Sequence, residues 1–196
     1  MLRVEDLRVE RGGKTLFSNL SFDLDRGEAL EIRGKNGSGK STLAAILAGD
    51  LKPSEGIVSY SGVDSDSVKA MAKFMGVLFQ NTEISFPITV GDFISLANPE
   101  QPTDAVINRL DLTEIANKEI TKISAGQLQR TQIAQLIHQD PDLLILDEPF
   151  SAQDSEQIKK LIEIFSELKS MKKTLILINH IDLDLRDLID KHLDLD

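Results

Sequence analysis

The sequence predicts an α/β fold built on a mainly parallel sheet. Short apolar runs of strand type alternate with stretches of helical spacing, the pattern of strands joined by crossover helices. Two runs, 143–147 and 174–179, are apolar at nearly every position, as strands covered on both faces are. A glycine-rich loop, Gly34-Lys35-Asn36-Gly37-Ser38-Gly39-Lys40-Ser41, sits between a third run and a helical pattern.

In chain order, 2–9, 16–24 and 29–33 read as strands, and a helix starting near Lys40 continues over 42–47. Another apolar run covers 74–79. Helical spacing then occupies 89–97, entered from Pro87, and 104–110, entered from Pro102-Thr103, in keeping with the tolerance of a first helical turn for proline. Past Ser124, 127–138 reads as a helix, 143–147 as a buried strand, 155–169 as an amphipathic helix and 174–179 as a second buried strand. A last strand-like segment lies near His192. One domain over 1–196 is expected, with a core of 1–80 and 125–196 and a helical insertion at about 81–124; no repeat, low-complexity tract or linker divides it further.

Composition excludes several function classes. The 196 residues, 41% hydrophobic and 28% charged, suit one packed domain. The absence of Cys removes disulfides, thiolate metal sites and thiol nucleophiles. With 22 basic against 32 acidic residues the net charge is −10 and the pI about 4.8, so no broad electropositive footprint for nucleic acid is expected. The apolar runs fall far short of the roughly 20 residues of a membrane helix, and the first residues carry no signal-peptide core. A soluble, cytoplasmic chain is expected, held at any membrane by another protein.

The loop Gly34 to Ser41 matches G-x-x-x-x-G-K-[ST] between strand and helix, where its mechanism needs it. Gly34, Gly37 and Gly39 let the backbone curl so that the N–H groups of Asn36, Ser38 and the helix start at Thr42 face phosphates. Lys40 would reach the β- and γ-phosphates and the Ser41 hydroxyl would ligate Mg²⁺. The run 143–146 ends in Asp147-Glu148, at the sheet edge where ligands of open α/β folds bind. Asp147 would hold Mg²⁺ through water, and Glu148 could orient or deprotonate the attacking water. A guanine reader usually shows Asn-Lys-x-Asp after a strand; the only Asn-Lys, at Asn117-Lys118, lacks the Asp, so ATP is preferred.

Between these motifs stands Ile123-Ser124-Ala125-Gly126-Gln127-Leu128-Gln129-Arg130, and here the sequence resembles the ATP-binding-cassette (ABC) ATPases, whose signature is Leu-Ser-Gly-Gly-Gln. Ile and Ala replace the first Leu and the first Gly; Ser124, Gly126 and Gln127 stand, at the family's spacing from Asp147. The resemblance covers nearly the whole chain. It implies a P-loop NTPase core with N-terminal antiparallel strands and an inserted helical subdomain. It also implies roles: Gln80 as the glutamine contacting Mg²⁺ or the attacking water, His180 as the histidine touching the γ-phosphate, and Asp154 as the aspartate of a loop that packs across subunits. Gln153 stands where Leu is usual. Arg11 occupies the place of an aromatic side chain stacked on adenine, and a guanidinium can stack there or stay solvated. His138 and His192 lack such placement and read as ordinary helix or surface residues.

One phosphate loop and one signature per chain imply head-to-tail pairing with a second copy or a related ATPase subunit. Ser124, Gly126 and Gln127 of one chain then meet the γ-phosphate held by the other. The resemblance implies an ATP-hydrolysing subunit of a membrane transporter, docked through Gln80 and the insertion to an integral membrane subunit on the inner face of the membrane. Phe79-Gln80 and Ser85-Phe86-Pro87-Ile88-Thr89-Val90 resemble importers of metal chelates and cobalamin. Thr15-Leu16-Phe17-Ser18-Asn19-Leu20-Ser21-Phe22, Ser124-Ala125-Gly126-Gln127 and Glu148-Pro149-Phe150 resemble the small haem-export ATPases of cytochrome c maturation. A soluble ABC ATPase serving an iron–sulfur assembly scaffold is the alternative. A nucleic-acid machine is disfavoured by the negative charge and by the short stretch between Lys40 and Ser124.

Overall fold

A computed structural model describes residues 1–65, 67–80, 84–180 and 183–195. The chain opens with β1 (Leu2–Arg11) and β2 (Lys14–Leu24), then β3 (Ala29–Gly34) and α1 (Lys40–Leu47). Next come β4 (Glu55–Tyr60), α2 (Val68–Phe74) and β5 (Met75–Leu78). The short helices α3 (Val90–Ser95) and α4 (Asp104–Arg109) follow, with 3-10 turns at Thr113–Ile115 and Ile120–Lys122. The chain ends with α5 (Ala125–Gln139), β6 (Leu143–Asp147), α6 (Ser155–Ser170), β7 (Thr174–Ile178) and β8 (Lys191–Leu195).

Two sheets form. β5, β6, β7, β3 and β8 lie side by side in that order, and each neighbouring pair is parallel. β2, β1 and β4 make a three-stranded antiparallel sheet. The expected parallel core and antiparallel opening are both present. β4 and α2 have no counterpart in the sequence reading: Gly56 interrupts the apolar pattern of β4, and α2 carries no buried residue to give it a stripe. α5 begins at Ala125, two residues before the expected start, because the cap is Ser124 itself.

β6 and β7, apart from Asp147 and Thr174, are apolar because both faces are covered. Leu144, Leu146, Leu175 and Leu177 pack on one face with α5, α6 and side chains of α3 and α4. Leu143, Ile145, Ile176 and Ile178 pack on the other with α1 and the antiparallel sheet. The segment from α3 to the second 3-10 turn thus shares the core of the parallel sheet; residues 81–83, where the insertion was expected to begin, lie outside the described residues. α6 places Leu161, Ile164, Phe165 and Leu168 on one stripe, and Phe165 meets Phe150 edge to face at 5.8 Å.

Register fixes what this core delivers. Leu78 pairs with Leu146, Asp147 with Ile178, and Ile178 with Ile32. The carboxyl ends of β5, β6, β7 and β3 are therefore level, and Gln80, Asp147-Glu148, Asn179-His180 and the glycine-rich loop all leave the sheet at one edge.

Candidate nucleotide site

A cavity of about 540 Å³ opens at that edge, within the size range of small-ligand sites. Asn36, Gly37, Gly39, Lys40, Ser41 and Thr42 form its floor. Gln80, Glu148 and His180 stand on one wall, and Arg11 and Leu16 come from the β1–β2 hairpin. The fold thus brings together ten residues that sequence reading singled out, from five separate parts of the chain.

The loop's shape depends on glycine at two positions. Gly39 caps α1 with φ 100°, and a Cβ there would press on Phe17 at 3.0 Å. Gly34 has φ 149°, and a Cβ would meet the Leu195 carbonyl at 2.4 Å. Gly34 and Ser38 do not line the cavity; they set the loop against β8 from behind. Lys40 is 7% exposed and donates from Nζ to the carbonyls of Gly34 at 2.7 Å and Lys35 at 3.1 Å. Its ammonium is thereby held over the loop, whose N–H groups and helix start give the floor a positive character suited to phosphate.

Asp147 is 2% exposed, and neither carboxylate oxygen has a hydrogen-bond partner. Burial raises its pKa from the usual 3.8; the nearby Ser41 hydroxyl opposes the shift, the Glu148 charge adds to it and Lys40 opposes it. A buried carboxylate with free lone pairs beside a serine hydroxyl fits a hard divalent cation such as Mg²⁺, which takes oxygen ligands and few protein side chains.

Glu148 follows with φ 56°, a left-handed conformation that costs a non-glycine residue on the order of 1–3 kcal/mol. Contacts on every side hold it there. Its N–H donates to the Ile178 carbonyl at 2.9 Å, and Gln129 Nε2 donates to its own carbonyl at 2.9 Å. Gln80 Nε2 donates to Oε2 at 2.7 Å, and His180 Nδ1 lies 3.0 Å from Oε1. The carboxylate therefore faces the cavity between an amide and an imidazole, each carried by a different strand end.

The remaining candidates lie elsewhere. Ser124 and Gln127 form a capping box at the start of α5: Ser124 Oγ accepts from the Gln127 N–H, and Gln127 Oε1 accepts from the Ser124 N–H. Asp154 caps α6, accepting from the N–H groups of Glu156 and Gln157. A Cβ on Gly126 would sit 2.4 Å from the Ala152 carbonyl, so glycine lets the turn after β6 approach α5. None of these four lines the cavity. His138 bonds the Asn98 carbonyl and His192 bonds Glu31, away from the site.

Two functional neighbours had no sequence signal of their own. Gln129 grips the Glu148 carbonyl, and Gln153, which looked only like a missing leucine, donates to Gln129 Oε1 at 2.8 Å and to the Gly126 carbonyl at 3.1 Å while accepting from Arg130. Polar residues at three nearby positions were the available hint.

Comparison with known proteins assigns the chain to a family. A model of the ABC transporter family matches residues 17–151. The energy-coupling factor transporter ATP-binding protein EcfA1 of Fusobacterium nucleatum is 35% identical over 193 residues, covering 92% of this chain and 73% of that protein. The cytochrome c biogenesis ATP-binding export protein CcmA of Paramagnetospirillum magneticum is 31% identical over 203 residues, covering 97% of this chain and 92% of that protein. A solved metal-chelate type ABC transporter in an inward-facing conformation superposes with a TM-score of 0.81 at 27% identity, covering 100% of this chain and 79% of that one. The chain therefore belongs to the ABC transporter family, as a subunit that binds and hydrolyses ATP.

Proposed function

We propose that the cavity binds MgATP, with Glu148 as general base, and that two chains close head to tail around the nucleotide to drive a membrane transporter. The observation carrying this is the Gln80–Glu148–His180 cluster, which holds a carboxylate facing the phosphate loop. Lys40, Ser41, Thr42 and the loop N–H groups cradle the phosphates, and Ser41 and Asp147 hold Mg²⁺, which supplies neutralisation of the phosphate charge. Gln80 keeps one Glu148 oxygen directed at the attacking water, and Glu148 accepts its proton as the γ-phosphate departs. His180 senses that phosphate.

Ser124, Gly126 and Gln127 act in the opposite subunit's site. The capping box leaves the Ser124 hydroxyl and the first N–H groups of α5 at a helix N-terminus, where an anion is favoured. ATP then joins two chains through one anion site, and hydrolysis removes the contact that favoured closure. The described residues 84–124 form the helical subdomain that, with Gln80, meets an integral membrane subunit. The exposed Phe86 and Leu96 on that segment support such a contact, and the chain works peripherally on the inner face of the membrane. Among the described residues no helix is long and apolar enough to cross it.

The test is Glu148→Gln. The variant is expected to bind ATP, to accumulate as a dimer on size exclusion, and to hydrolyse at least about a hundredfold more slowly, as loss of a general base implies. Hydrolysis at the wild-type rate removes Glu148 from its role. Purification of the tagged variant with ATP from detergent-solubilised cells is expected to recover a polytopic membrane protein; recovery of soluble scaffold proteins alone overturns the transport reading.

A further inference from the structure

Gln153 makes more hydrogen bonds than its place in the chain requires. It lies in the turn between β6 and α6, one residue before the Asp154 cap, and its own N–H already donates to the Phe150 carbonyl at 3.3 Å. Its side chain reaches back to α5. Nε2 donates to the Gly126 carbonyl at 3.1 Å and to Gln129 Oε1 at 2.8 Å, and Oε1 accepts from an Arg130 NH group at 2.8 Å.

The direction of these bonds is set by their ends, because a guanidinium only donates and a backbone carbonyl only accepts. Arg130 therefore decides where the Gln153 amide carries its oxygen, the Gly126 carbonyl decides where it carries its nitrogen, and the two demands agree. Gln153 then presents a donor to Gln129, whose oxygen must face it. The Gln129 nitrogen is left to donate to the Glu148 carbonyl at 2.9 Å and to the Ser151 hydroxyl at 3.3 Å. At the other end Arg130 Nε donates to the Leu110 carbonyl at 3.2 Å, where α4 stops. One chain of side chains thus joins the end of α4 to the left-handed backbone of Glu148, φ 56°. It does not pass through Gln80, whose bond is to the Glu148 carboxylate.

We infer that Gln153 is a positioning residue for the general base: it fixes the orientation of the Gln129 amide and, through Arg130, ties the Glu148 backbone to α4 by a route separate from Gln80. The inference rests on the reading of Glu148 above and deepens it. Gln153 does not line the nucleotide cavity, so it acts through Gln129 alone. The leucine usual at this position offers neither donor nor acceptor, and the relay is a property of this chain's own residues. Without it the Glu148 carbonyl loses its side-chain donor, one restraint fewer holds an unfavourable backbone, and the carboxylate moves off the line of attack.

The experiment is steady-state ATP hydrolysis with urea unfolding, both on the full chain. Gln153→Leu is expected to lower kcat by about 3- to 10-fold, the worth of one hydrogen bond felt in the transition state, with KM for ATP changed by less than about twofold. Gln153→Glu keeps an acceptor for Arg130 but has no donor for Gln129. Gln129 then turns its nitrogen to the new carboxylate and its oxygen to the Glu148 carbonyl, so kcat falls at least as far while the urea midpoint stays at or above that of Gln153→Leu. Residues acting in series do not add. In a Gln129→Met background, Gln153→Leu is therefore expected to lower kcat by no more than about 1.5-fold further, and the losses from Arg130→Met and Gln153→Leu are expected to overlap in the same way. An unchanged kcat in both variants at position 153 overturns the proposal, as do losses that multiply in either double variant, or a fall in activity that only matches the loss of folded protein. Wild-type hydrolysis by Glu148→Gln would instead remove the general-base reading, and this inference with it; collapse in Glu148→Gln with no effect at position 153 sinks this inference alone.

Discussion

Replacing Asp147 by Asn should stabilise the nucleotide-free protein and abolish its response to Mg²⁺. The wild-type carboxylate is 2% exposed and neither oxygen is hydrogen-bonded. A buried group left without its partner costs on the order of 1–3 kcal/mol, and more when charged. The carboxamide keeps the shape and loses the charge, although its own unbonded atoms offset part of the gain. A net gain of about 1–1.5 kcal/mol corresponds to roughly 2–6 °C in Tm for a chain of this size. The sign with pH follows from the raised pKa of Asp147. Between the unfolded value near 3.8 and the raised folded value, the folded state holds the proton more tightly. The stability this contributes is complete below the unfolded value and is lost as pH rises through the folded one. The advantage of Asp147→Asn should therefore be small near pH 4 and largest at pH 8. Scanning fluorimetry at pH 5 and 8, with and without MgATP, measures all of this, and MgATP should raise the wild-type Tm more than that of the variant. A variant less stable than wild type at pH 8, or equally stabilised by MgATP, would refute the assignment of Asp147 as a charge waiting for a cation.

Three further outcomes follow from contacts around the site. Gln129→Met removes the donor to the Glu148 carbonyl at 2.9 Å and should lower kcat by about tenfold or more with little change in KM for ATP, because misplacing a catalytic group affects the transition state first; a changed KM at constant kcat would count against it. Gly126→Ala puts a Cβ 2.4 Å from the Ala152 carbonyl, so the turn after β6 must shift, with an expected loss of about 1–3 kcal/mol in urea unfolding. Asp154→Ala deletes two cap hydrogen bonds to α6 and should cost about 1 kcal/mol by the same assay.

The parts of the fold legible in the sequence were those whose residues answer to one constraint at a time. β6 and β7 are buried on both faces, so every position but Asp147 and Thr174 is apolar and no competing pattern intrudes. α6 has one buried stripe and an Asp cap, and its expected span, 155–169, differs from the observed one by a single residue. β4 and α2 escaped because their stability is borrowed. β4 pairs along β1 and leaves Ile57 exposed at 62%, while α2 buries no residue and is tied in by Ser67 and by the Gln139 bonds to Ala72 and Met75. At the site, the motif residues could be read because a phosphate loop or an acidic strand end has fixed chemistry at fixed spacing. Gln129 and Gln153 could not, because their function is to hold a neighbour's backbone in place, and an amide that does so has the same sequence signature as one facing water.

The fold concentrates its unsatisfied groups where the ligand is to bind. Among the described residues, the buried side-chain atoms with no hydrogen-bond partner are Arg8 Nε, Ser38 Oγ and the two oxygens of Asp147, whereas buried polar atoms elsewhere are paired as in native proteins generally. Three of these four belong to the phosphate loop or the strand end facing it. The left-handed backbone of Glu148 and the nearly buried ammonium of Lys40 add to the same place. Each is a local inconsistency that stability alone would remove, and such inconsistencies mark functional sites. On the proposed reading they share a remedy: a triphosphate would meet the loop, and its divalent ion would meet Asp147. The closed, loaded state thereby gains stability that the empty one lacks. On that reading, cleavage of the γ-phosphate would withdraw part of that gain from the wall carrying Gln80, Glu148 and His180. The size of the conformational switch is set by how much misfit the empty site carries, and for that reason a substitution that relaxes the misfit, as Asp147→Asn does, should make the protein sturdier and the switch weaker in the same step.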